Sequence, residues 1–377
     1  MPDRYGPRPD VPSDDRVLHV LNGLPFGGNE TLCIQLMTSL PYRERLLLNI
    51  GPDGGMRERF EALEGAKIFH VEYRRKQRVR FVFRVWKLLR ELRPRGILVY
   101  PFGLHLLVAA AARLAGVPTV LVHAGNPPPE GAEDRRLWNR IVLASRLLRT
   151  PIIGCSVYVD DEFRKLSRRL PPRSHPVHNG IDVSALARRV ERARARRPLG
   201  PPIIGMVARL SVIKDQETLV RAMALVHAAR PDALLWIVGE GETKERLEEL
   251  ARELGIGGVT TFLGKRADVP ELLARMDVYV FSTTRDEGFG IAIVEGLAAG
   301  LPVVASDVPA CRELLENGAG QLVPPREPRP MADAILRLIG DRAEHARWSE
   351  RARAGAAAFS VEACARAWNA ALQEDWS

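Results

Sequence analysis

The chain has 377 residues, of which 46% are hydrophobic and 27% charged, the composition of a folded protein of about two domains. This composition excludes a wholly disordered chain and a collagen-like one. The four cysteines are far apart (Cys33, Cys155, Cys311 and Cys364), so neither a disulfide framework nor a zinc site is indicated. We expect buried thiols in a reducing cytoplasm.

The net charge of +9 is unevenly divided, because residues 1–190 carry +12 and residues 191–377 carry −3. Such asymmetry suggests that the first half has an anionic partner, which would be nucleic acid, a membrane surface or phosphates. Compositional drift is the alternative explanation, since 48 arginines stand against 7 lysines in the whole chain. Both interpretations stay open at this point.

Residues 1–15 are polar and proline-rich, which predicts a disordered leader without the apolar core of a signal peptide. The longest apolar stretch, 96–112, contains Pro101 and Gly103 and is shorter than the roughly 18–20 residues of a membrane span. We therefore expect a cytoplasmic protein that can touch a membrane only from outside the bilayer.

From residue 17 onward, short apolar runs alternate with amphipathic segments, which is typical of a doubly wound parallel sheet. The first series has predicted strands at 17–21, 46–50, 97–100, 119–122 and 152–155, and predicted helices at 30–40, 56–64 and 104–114. After 188–202, which is charged and rich in proline and glycine, the alternation restarts. The second series has predicted strands at 203–207, 234–238, 260–263, 278–281 and 302–305, and predicted helices at 215–229, 242–254, 268–275 and 291–299.

This pattern predicts an α/β protein of two units joined by a linker. We expect a first domain at 16–187, a linker at 188–202, a second domain at 203–345 and a C-terminal helix at 346–377. Trp368 and Trp376 indicate that this last helix packs on another part of the protein. Two such units normally hold a ligand in a cleft between them, outside the carboxyl ends of their strands.

The segment 285–300 follows a predicted strand and opens a predicted helix. Gly288 and Gly290 allow a close backbone approach, and the first N–H groups of the helix can face an anion. Glu287 precedes this turn, and Glu295 lies inside an otherwise apolar helix, where a carboxylate suits ribose hydroxyls better than phosphate. The alternative is that Glu287 caps the helix and that Glu295 is solvated.

Two cations follow the predicted strand 203–207, which places Arg209 and Lys214 at its carboxyl end. An ammonium is a good phosphate partner. Two further candidates lie in the first unit. Gly27 and Gly28 form a strand-to-helix turn suited to phosphate, although such a pair is more often only a turn. His123 ends the strand 119–122, and it is a candidate ligand residue or a packed core residue.

Together these segments resemble the family-4 retaining glycosyltransferases (glycosyltransferase group 1) of the GT-B fold. The resemblance runs from about Val17 to Pro325. It is carried by EGFGIAIVE, with Glu287 and Glu295 as the two carboxylates of a Glu-x7-Glu motif, and by GMVARLSVIKDQETLVRAM, VGEGE, FLGKRADVPELLARMDVYVFST and AAGLPVVASDV. It implies two Rossmann-like domains facing an interdomain cleft, with the nucleotide-sugar donor mainly on the second and the acceptor mainly on the first. It also implies that the C-terminal helix crosses back to the first domain.

The resemblance also implies roles for the candidate residues. Arg209 and Lys214 would hold the donor diphosphate, Glu295 would bind the ribose hydroxyls, and Glu287 with the backbone of 289–291 would contact the transferred sugar. Within that stretch, Phe289, Gly290 and Ile291 follow Gly288. In the first domain, Gly28, next to Gly27, would lie against the diphosphate and His123 would hydrogen-bond the sugar. Arg266 lies where the family places the nucleobase.

One segment departs from the family pattern. Many members carry Gly-Gly-x-x-Glu after the last strand, whereas this chain has Pro309-Ala-Cys-Arg-Glu313, so only the glutamate corresponds. The family implies that the donor phosphate itself accepts the acceptor's proton. Because two cations and a helix N-terminus can replace a divalent metal, and because the sequence has no DxD motif, we expect no metal and no cofactor beyond a UDP- or GDP-sugar donor.

Residues 74–95 hold ten basic side chains and one acidic one, with apolar residues at helical spacing. This pattern predicts an amphipathic basic helix, which is either a surface helix with a solvated cationic face or a contact for an anionic membrane or a phosphate-bearing lipid acceptor. We expect transfer of a hexose-type sugar to a hydroxyl acceptor, possible alternatives being a nucleotide-sugar epimerase of the same fold and a non-enzymatic anion- or nucleic-acid-binding protein. Since no nucleic-acid module is recognised, we expect no nucleic-acid partner.

Overall fold

The computed structural model describes residues 16–25, 27–42, 44–129, 131–166, 175–197 and 200–374. The leader predicted at 1–15 and Trp376 lie outside these residues. The chain divides into two compact units, Met1–Val177 with Cys364–Ser377, and His178–Ala363. Each unit contains a six-stranded parallel sheet with helices between its strands, which confirms the predicted α/β class with two Rossmann-like domains.

The first unit begins with alternating strands and helices. Its strands are β1 (Arg16–Leu21), β2 (Glu44–Asn49), β3 (Ala66–His70), β4 (Gly96–Val99), β5 (Thr119–Ala124) and β6 (Ile152–Gly154). Its helices are α1 (Gly28–Ser39), α2 (Arg57–Glu61), α3 (Arg78–Leu92), α4 (His105–Ala115), α5 (Ala132–Leu147) and α6 (Val157–Leu166). The strand order is β3-β2-β1-β4-β5-β6.

The second unit repeats this plan. Its helices are α7 (Val183–Arg194), α8 (Gln216–Ala229), α9 (Lys244–Glu253), α10 (Val269–Leu273), α11 (Ile291–Ala298), α12 (Pro309–Leu315), α13 (Pro328–Gly340) and α14 (Arg342–Ala356). Its strands are β7 (Ile203–Val207), β8 (Leu234–Val238), β9 (Thr260–Gly264), β10 (Val278–Phe281), β11 (Val303–Ser306) and β12 (Gln321–Val323). They lie in the order β12-β11-β10-β7-β8-β9. The last helix of the chain is α15 (Val361–Gln373).

The central strands β4 and β10 are apolar throughout and fully buried, because helices cover both faces of a doubly wound sheet. The sequence analysis missed β3 and β12, which are edge strands of the two sheets. Their residues are mostly half-buried, so neither sequence carries the continuous apolar run by which the central strands are recognised.

The linker predicted at 188–202 is wrong over its first part, because α7 runs through residues 183–194. Asp182 caps this helix by accepting a hydrogen bond from the backbone N–H of Ala185 at 2.7 Å, and Val190 is buried. Arg188, Arg189 and Arg192 lie on the exposed side of this amphipathic helix, whereas half-buried Arg194 donates to the carbonyl of Ala299 at 3.0 Å. The boundary between the units falls at residues 177 and 178, so 178–187 belong to the second unit and not to the first.

The C-terminal helix ends within the core of the first unit. Trp368 is only 1% exposed and shares a hydrophobic cluster with residues of α1 and of the central strands. Leu372 lies so close to β4 that a Cβ added at Gly96 would be 2.7 Å from Leu372 Cδ2. A single C-terminal helix was predicted at 346–377. Its first part, residues 346–363, lies in the second unit.

All four cysteines are buried and none forms a disulfide bond, as predicted. In the described ranges, no helix combines the length and the apolar character that a membrane crossing needs.

The order of each sheet reverses at one point, between β1 and β4 in the first unit and between β7 and β10 in the second. At such a reversal the connections leave neighbouring strands in opposite directions, and a crevice opens outside their carboxyl ends. The loops that follow β7 and β10 are therefore where the second unit is expected to bind a ligand.

Replacing Trp368 by Ala should lower the free energy of unfolding by about 3–5 kcal/mol, because it leaves a large cavity in a closely packed core. Urea unfolding followed by circular dichroism measures this change. Leu147→Ala is the matched control in the same unit, since Leu147 is 78% exposed and its truncation should change stability by less than about 0.5 kcal/mol. Equal midpoints for the two variants would contradict the assigned packing.

Candidate functional site

The loops after β7 and β10 are fastened together by hydrogen bonds. Thr283 Oγ1 and the backbone N–H of Thr284 both donate to the carbonyl of Ile213, each at 2.9 Å. Ser282 Oγ donates to the carbonyl of Lys214 at 3.1 Å. These contacts fix the short 3-10 turn Val212–Lys214 at the carboxyl end of the sheet. The backbone position of Lys214 is therefore set by the polar residues that follow β10.

Lys214 and Glu287 form an ion pair across this crevice, through Lys214 Nζ and Glu287 Oε2. The side chains are 22% and 9% exposed, respectively. The ammonium also lies 4.9 Å from the centroid of the Phe281 ring, a cation–π contact. Because both charges are mostly removed from water, loss of either partner would leave the other poorly compensated.

The turn after Glu287 leads directly into α11. Gly290 precedes the helix with φ at +87°, a conformation in which a side chain would be strained. The backbone N–H of Ile293 donates to the carbonyl of Gly290 at 2.8 Å, and the start of α11 carries the positive end of the helix dipole. Phe289 is buried between the rings of His178 and Phe359, with centroid distances of 5.8 and 5.9 Å. The backbone N–H of Phe289 also lies 3.5 Å from Glu287 Oε1. The turn is therefore held both by packing and by its own hydrogen bonds.

Glu295 lies inside α11, where burial raises the pKa of its carboxyl from 4.5 to about 7. Within the described residues no hydrogen bond or ion pair reaches this carboxylate, although part of the residue stays accessible. The neighbouring Gly296 contacts the Tyr279 ring so closely that a Cβ there would be 2.8 Å from it. A carboxylate in this position can accept hydrogen bonds from the hydroxyl groups of a ligand.

Arg209 is 74% exposed, and its Nη2 is 3.2 Å from Glu242 Oε2. The backbone beside it packs against the loop after β8, since the N–H groups of Ala208 and Leu210 donate to the carbonyls of Val238 and Glu240 at 3.0 Å. Two further glycines in this loop, at 239 and 241, are required, because a Cβ at either would overlap the backbone carbonyl of residue 208 or 210. This loop is the sequence motif VGEGE, in which no site residue was predicted.

Arg266 follows β9, and its guanidinium makes a bidentate contact of 2.7 Å with Asp268. The structure thus brings Lys214, Glu287 and the residues 288–291 together, while Arg209 and Arg266 pair with other carboxylates. The roles inferred for all these residues stay predictions.

In the first unit, α1 begins at Gly28, and a Cβ added there would meet open space. Gly27 has φ at −158°, which any residue adopts, but a Cβ there would overlap Glu30 Oε2, so a side chain at this position would require the Glu30 carboxylate to move. His123 is buried in β5, with its ring centroid 5.8 Å from that of Tyr100 and 6.1 Å from that of Trp368. These rings make His123 part of a packed cluster, and its role toward a ligand stays a prediction.

A second polar pair in the second unit was not predicted. His178 Nε2 lies 2.5 Å from Glu313 Oε1. The segment 309–313, which lacks the glycines of the family pattern, opens α12 with Pro309 in its first turn. Since His178 and Glu313 are 135 residues apart, no local spacing could have joined them.

Comparison with known proteins matches residues 187–355 to the family of glycosyl transferases group 1. An exopolysaccharide phosphotransferase of Streptomyces coelicolor is 29% identical over 236 residues, which are 60% of this chain and 24% of that protein. EpsF of Bacillus subtilis, whose name assigns it to the glycosyltransferases, is 28% identical over 326 residues, 82% of this chain and 83% of EpsF. The crystal structure of Anabaena HepE in complex with UDP and glucose superposes with a TM-score of 0.80 at 23% identity, covering 95% of this chain and 99% of HepE.

The matches to two of the relatives cover less than half of those proteins. The chain spans about a quarter of the Streptomyces protein, and a lipopolysaccharide core glycosyltransferase of Rhizobium meliloti is matched over 46% of its length. The likeness to HepE extends over both units and shows their GT-B fold.

We expect Glu295→Gln to stabilise the protein at high pH and not at low pH. The pKa of this carboxyl is about 7 in the folded chain against 4.5 for an unperturbed group. The folded state therefore binds the proton more tightly, and the free energy of unfolding falls as pH rises through this interval. Above pH 7 the variant should be more stable by about 2–3 kcal/mol, and near pH 4.5 the two proteins should be alike.

Thermal unfolding at pH 5 and pH 8 measures this difference. Exposed Glu350 supplies the control, because Glu350→Gln should shift stability by less than about 0.5 kcal/mol at both pH values. A pH-independent effect of Glu295→Gln would show that burial of the carboxylate does not set its ionisation.

Proposed function

We propose that the chain transfers a hexose-type sugar from a nucleoside-diphosphate sugar to a hydroxyl acceptor, since residues 187–355 match the group 1 glycosyl transferases. The observation that carries this proposal is the Lys214–Glu287 ion pair at the point where the order of the second sheet reverses. A single cation held there by backbone contacts is suited to a diphosphate. UDP-glucose is the first donor to test, since HepE was crystallised with UDP and glucose.

Lys214 is proposed to neutralise the diphosphate as it leaves. Negative charge grows on this group while the anomeric carbon becomes oxocarbenium-like, and a fixed cation stabilises charge that develops more than charge already present. The N-terminus of α11 adds positive potential beside it. Arg209 is exposed and, among the described residues, pairs with Glu242, so its guanidinium can turn toward the same phosphates.

The carboxylates are proposed to act on the sugars. Glu295, with no protein partner in the described residues, accepts hydrogen bonds from the ribose hydroxyls. Glu287 and the backbone of residues 289–291 contact the transferred hexose. Arg266 and its neighbours lie near the base, through their backbone atoms.

Transfer is proposed to retain the anomeric configuration. The bond between the anomeric carbon and the leaving phosphate breaks, the acceptor oxygen forms the new bond on the same face, and the acceptor's proton passes to the leaving phosphate oxygen. No protein base is needed in this scheme. Glu287 is already paired with Lys214, so its carboxylate is poorly placed to act as a nucleophile.

The acceptor is proposed to bind the first unit and to be lipid-linked or anionic. The observation that favours it is the +12 charge of residues 1–190. Such an acceptor would place the enzyme in the cytoplasm at the inner face of a membrane.

Lys214→Met should lower the rate of sugar transfer or donor hydrolysis about 100- to 1000-fold at saturating donor, because one fixed cation no longer faces the leaving group. Release of nucleoside diphosphate from a panel of UDP- and GDP-sugars measures the rate. Thermal unfolding must show that the variant is folded, since Glu287 loses its partner.

Lys67→Met is the matched control, since Lys67 pairs with Glu44 at the amino end of the first sheet, 2.5 Å away. Its rate should stay within about two-fold of that of the parent protein. A near-normal rate for folded Lys214→Met would overturn the assignment. Inversion of a sugar centre without nucleotide release would favour an epimerase instead.

Catalysis should not require a divalent metal, because Lys214, Arg209 and the N-terminus of α11 together supply positive charge to the diphosphate. After treatment with EDTA and gel filtration, the rate of nucleotide release should stay within about two-fold of the untreated value. Loss of activity that Mg²⁺ restores would contradict this expectation.

A further inference from the structure

The outward side of helices α3, α4 and α5 combines exposed apolar side chains with many cations. α3 packs along α4, and α4 along α5. Ten large hydrophobic side chains are exposed in the described part of the chain, and six of them lie on these three helices: Val79, Phe83, Leu114, Leu137, Leu143 and Leu147. We name this surface, with the basic residues between them, the basic–apolar face.

The cations of α3 and its flanking residues far outnumber the acidic side chains there, although Arg84 lies near Glu72. Residues 74–95 contain ten basic side chains and one acidic one. Arg80, Arg84 and Lys87 are exposed, and within the described residues none of them makes a side-chain hydrogen bond or ion pair. A surface helix that only needs solubility would carry both signs of charge, and its large apolar residues would point inward.

The apolar residues of the face are held in place on its outer side. Val79 is 86% exposed, Phe83 58% and Leu114 69%. The Phe83 ring lies 5.4 Å from that of Trp86, whose indole N–H donates to the carbonyl of Leu114 at 3.3 Å. These contacts join α3 to the end of α4 while leaving Phe83 and Leu114 facing outward. The buried side of α3 is formed by other residues, so these three are not needed for its packing.

A surface cavity of about 420 Å³ lies at the ends of α3 and α4. It is lined by Arg90, Arg93 and Arg95 and by residues 115–118, with no acidic side chain among them. Arginine guanidinium groups suit phosphate because their planar forks can bind two oxygens at once. The cavity therefore offers a place for a phosphate headgroup at the edge of the face.

We propose that the basic–apolar face binds the surface of an anionic lipid bilayer, with Val79, Phe83 and Leu114 entering the headgroup layer while the arginines contact lipid phosphates. This assignment rests on the proposed location at a membrane and not on the sugar-transfer reaction. An amphipathic surface of this composition gains both from buried apolar area and from attraction to anionic lipid.

The surplus of positive charge and the exposed apolar side chains of the basic–apolar face together favour a bilayer over other binding partners. A second copy of the chain would bring two strongly cationic surfaces into contact, which is repulsive. A nucleic acid would meet the cations but would leave the exposed valine and leucine side chains without an apolar partner. Only a bilayer supplies negative charge and an apolar layer beneath it.

Vesicle flotation of the full chain tests this proposal. We expect binding at low salt to phosphatidylcholine vesicles that contain about one-third phosphatidylglycerol and none to pure phosphatidylcholine vesicles. Neutralising two cations, in Arg80→Gln with Arg84→Gln, should weaken binding about 25-fold, or about five-fold for each charge. Phe83→Ser should weaken it about ten-fold, because less apolar area enters the interface.

Matched variants in the second unit control for charge and hydrophobicity. Arg188→Gln with Arg342→Gln removes the same charge, and Leu225→Ser removes an exposed leucine of α8. Both should bind vesicles as the parent protein does. Donor hydrolysis without vesicles should be the same in all variants, so that failure of the membrane assignment is distinguished from failure of the enzymatic one.

Three results would overturn the proposal. They are absence of binding to anionic vesicles at low salt, equal binding by the α3 variants and their controls, and a concentration-dependent dimer that Phe83→Ser abolishes.

Discussion

The ion pair between Lys214 and Glu287 joins the two loops at which the order of the second sheet reverses. Its charges are largely removed from water, so the pair holds only if the surrounding backbone keeps the two loops in register. The hydrogen bonds from residues 282–284 to residues 213 and 214 do this. The proposed diphosphate site is thus held in place by the protein's own contacts, and a fixed cation of this kind would stabilise the charge that develops in a transition state.

Backbone contact, more than side-chain chemistry, shapes the rest of this site. Gly239 and Gly241 let the loop after β8 approach the loop that carries Arg209, where a Cβ would meet a carbonyl. Gly290 turns the chain into α11 with a positive φ. Glycines at these positions allow the loops after β7, β8 and β10 to take their observed paths. The charged residues of the site lie on these loops.

The net charge of each half of the chain does not locate the proposed donor site, which lies in the half of charge −3. Individual cations at strand ends locate it instead. Most of the surplus of positive charge in the other half lies in residues 74–95, which include α3, and the outward side of α3 also exposes Val79 and Phe83. The cations at the strand ends of the second unit are therefore proposed to bind a diphosphate. The basic residues of the first unit are proposed to bind an extended anionic surface.

The sequence alone predicts the α/β class, the two units and the central strands, because strands that are covered on both faces are mostly apolar. It also located Lys214, Glu287 and the turn before α11, since motifs at strand ends are local. It could not determine β3 and β12, whose edge positions leave them half-buried, nor recognise α7 within a run of arginines. Only the tertiary structure decided that Lys214 pairs with Glu287 and His178 with Glu313, because those contacts depend on strand order, which sequence spacing does not record.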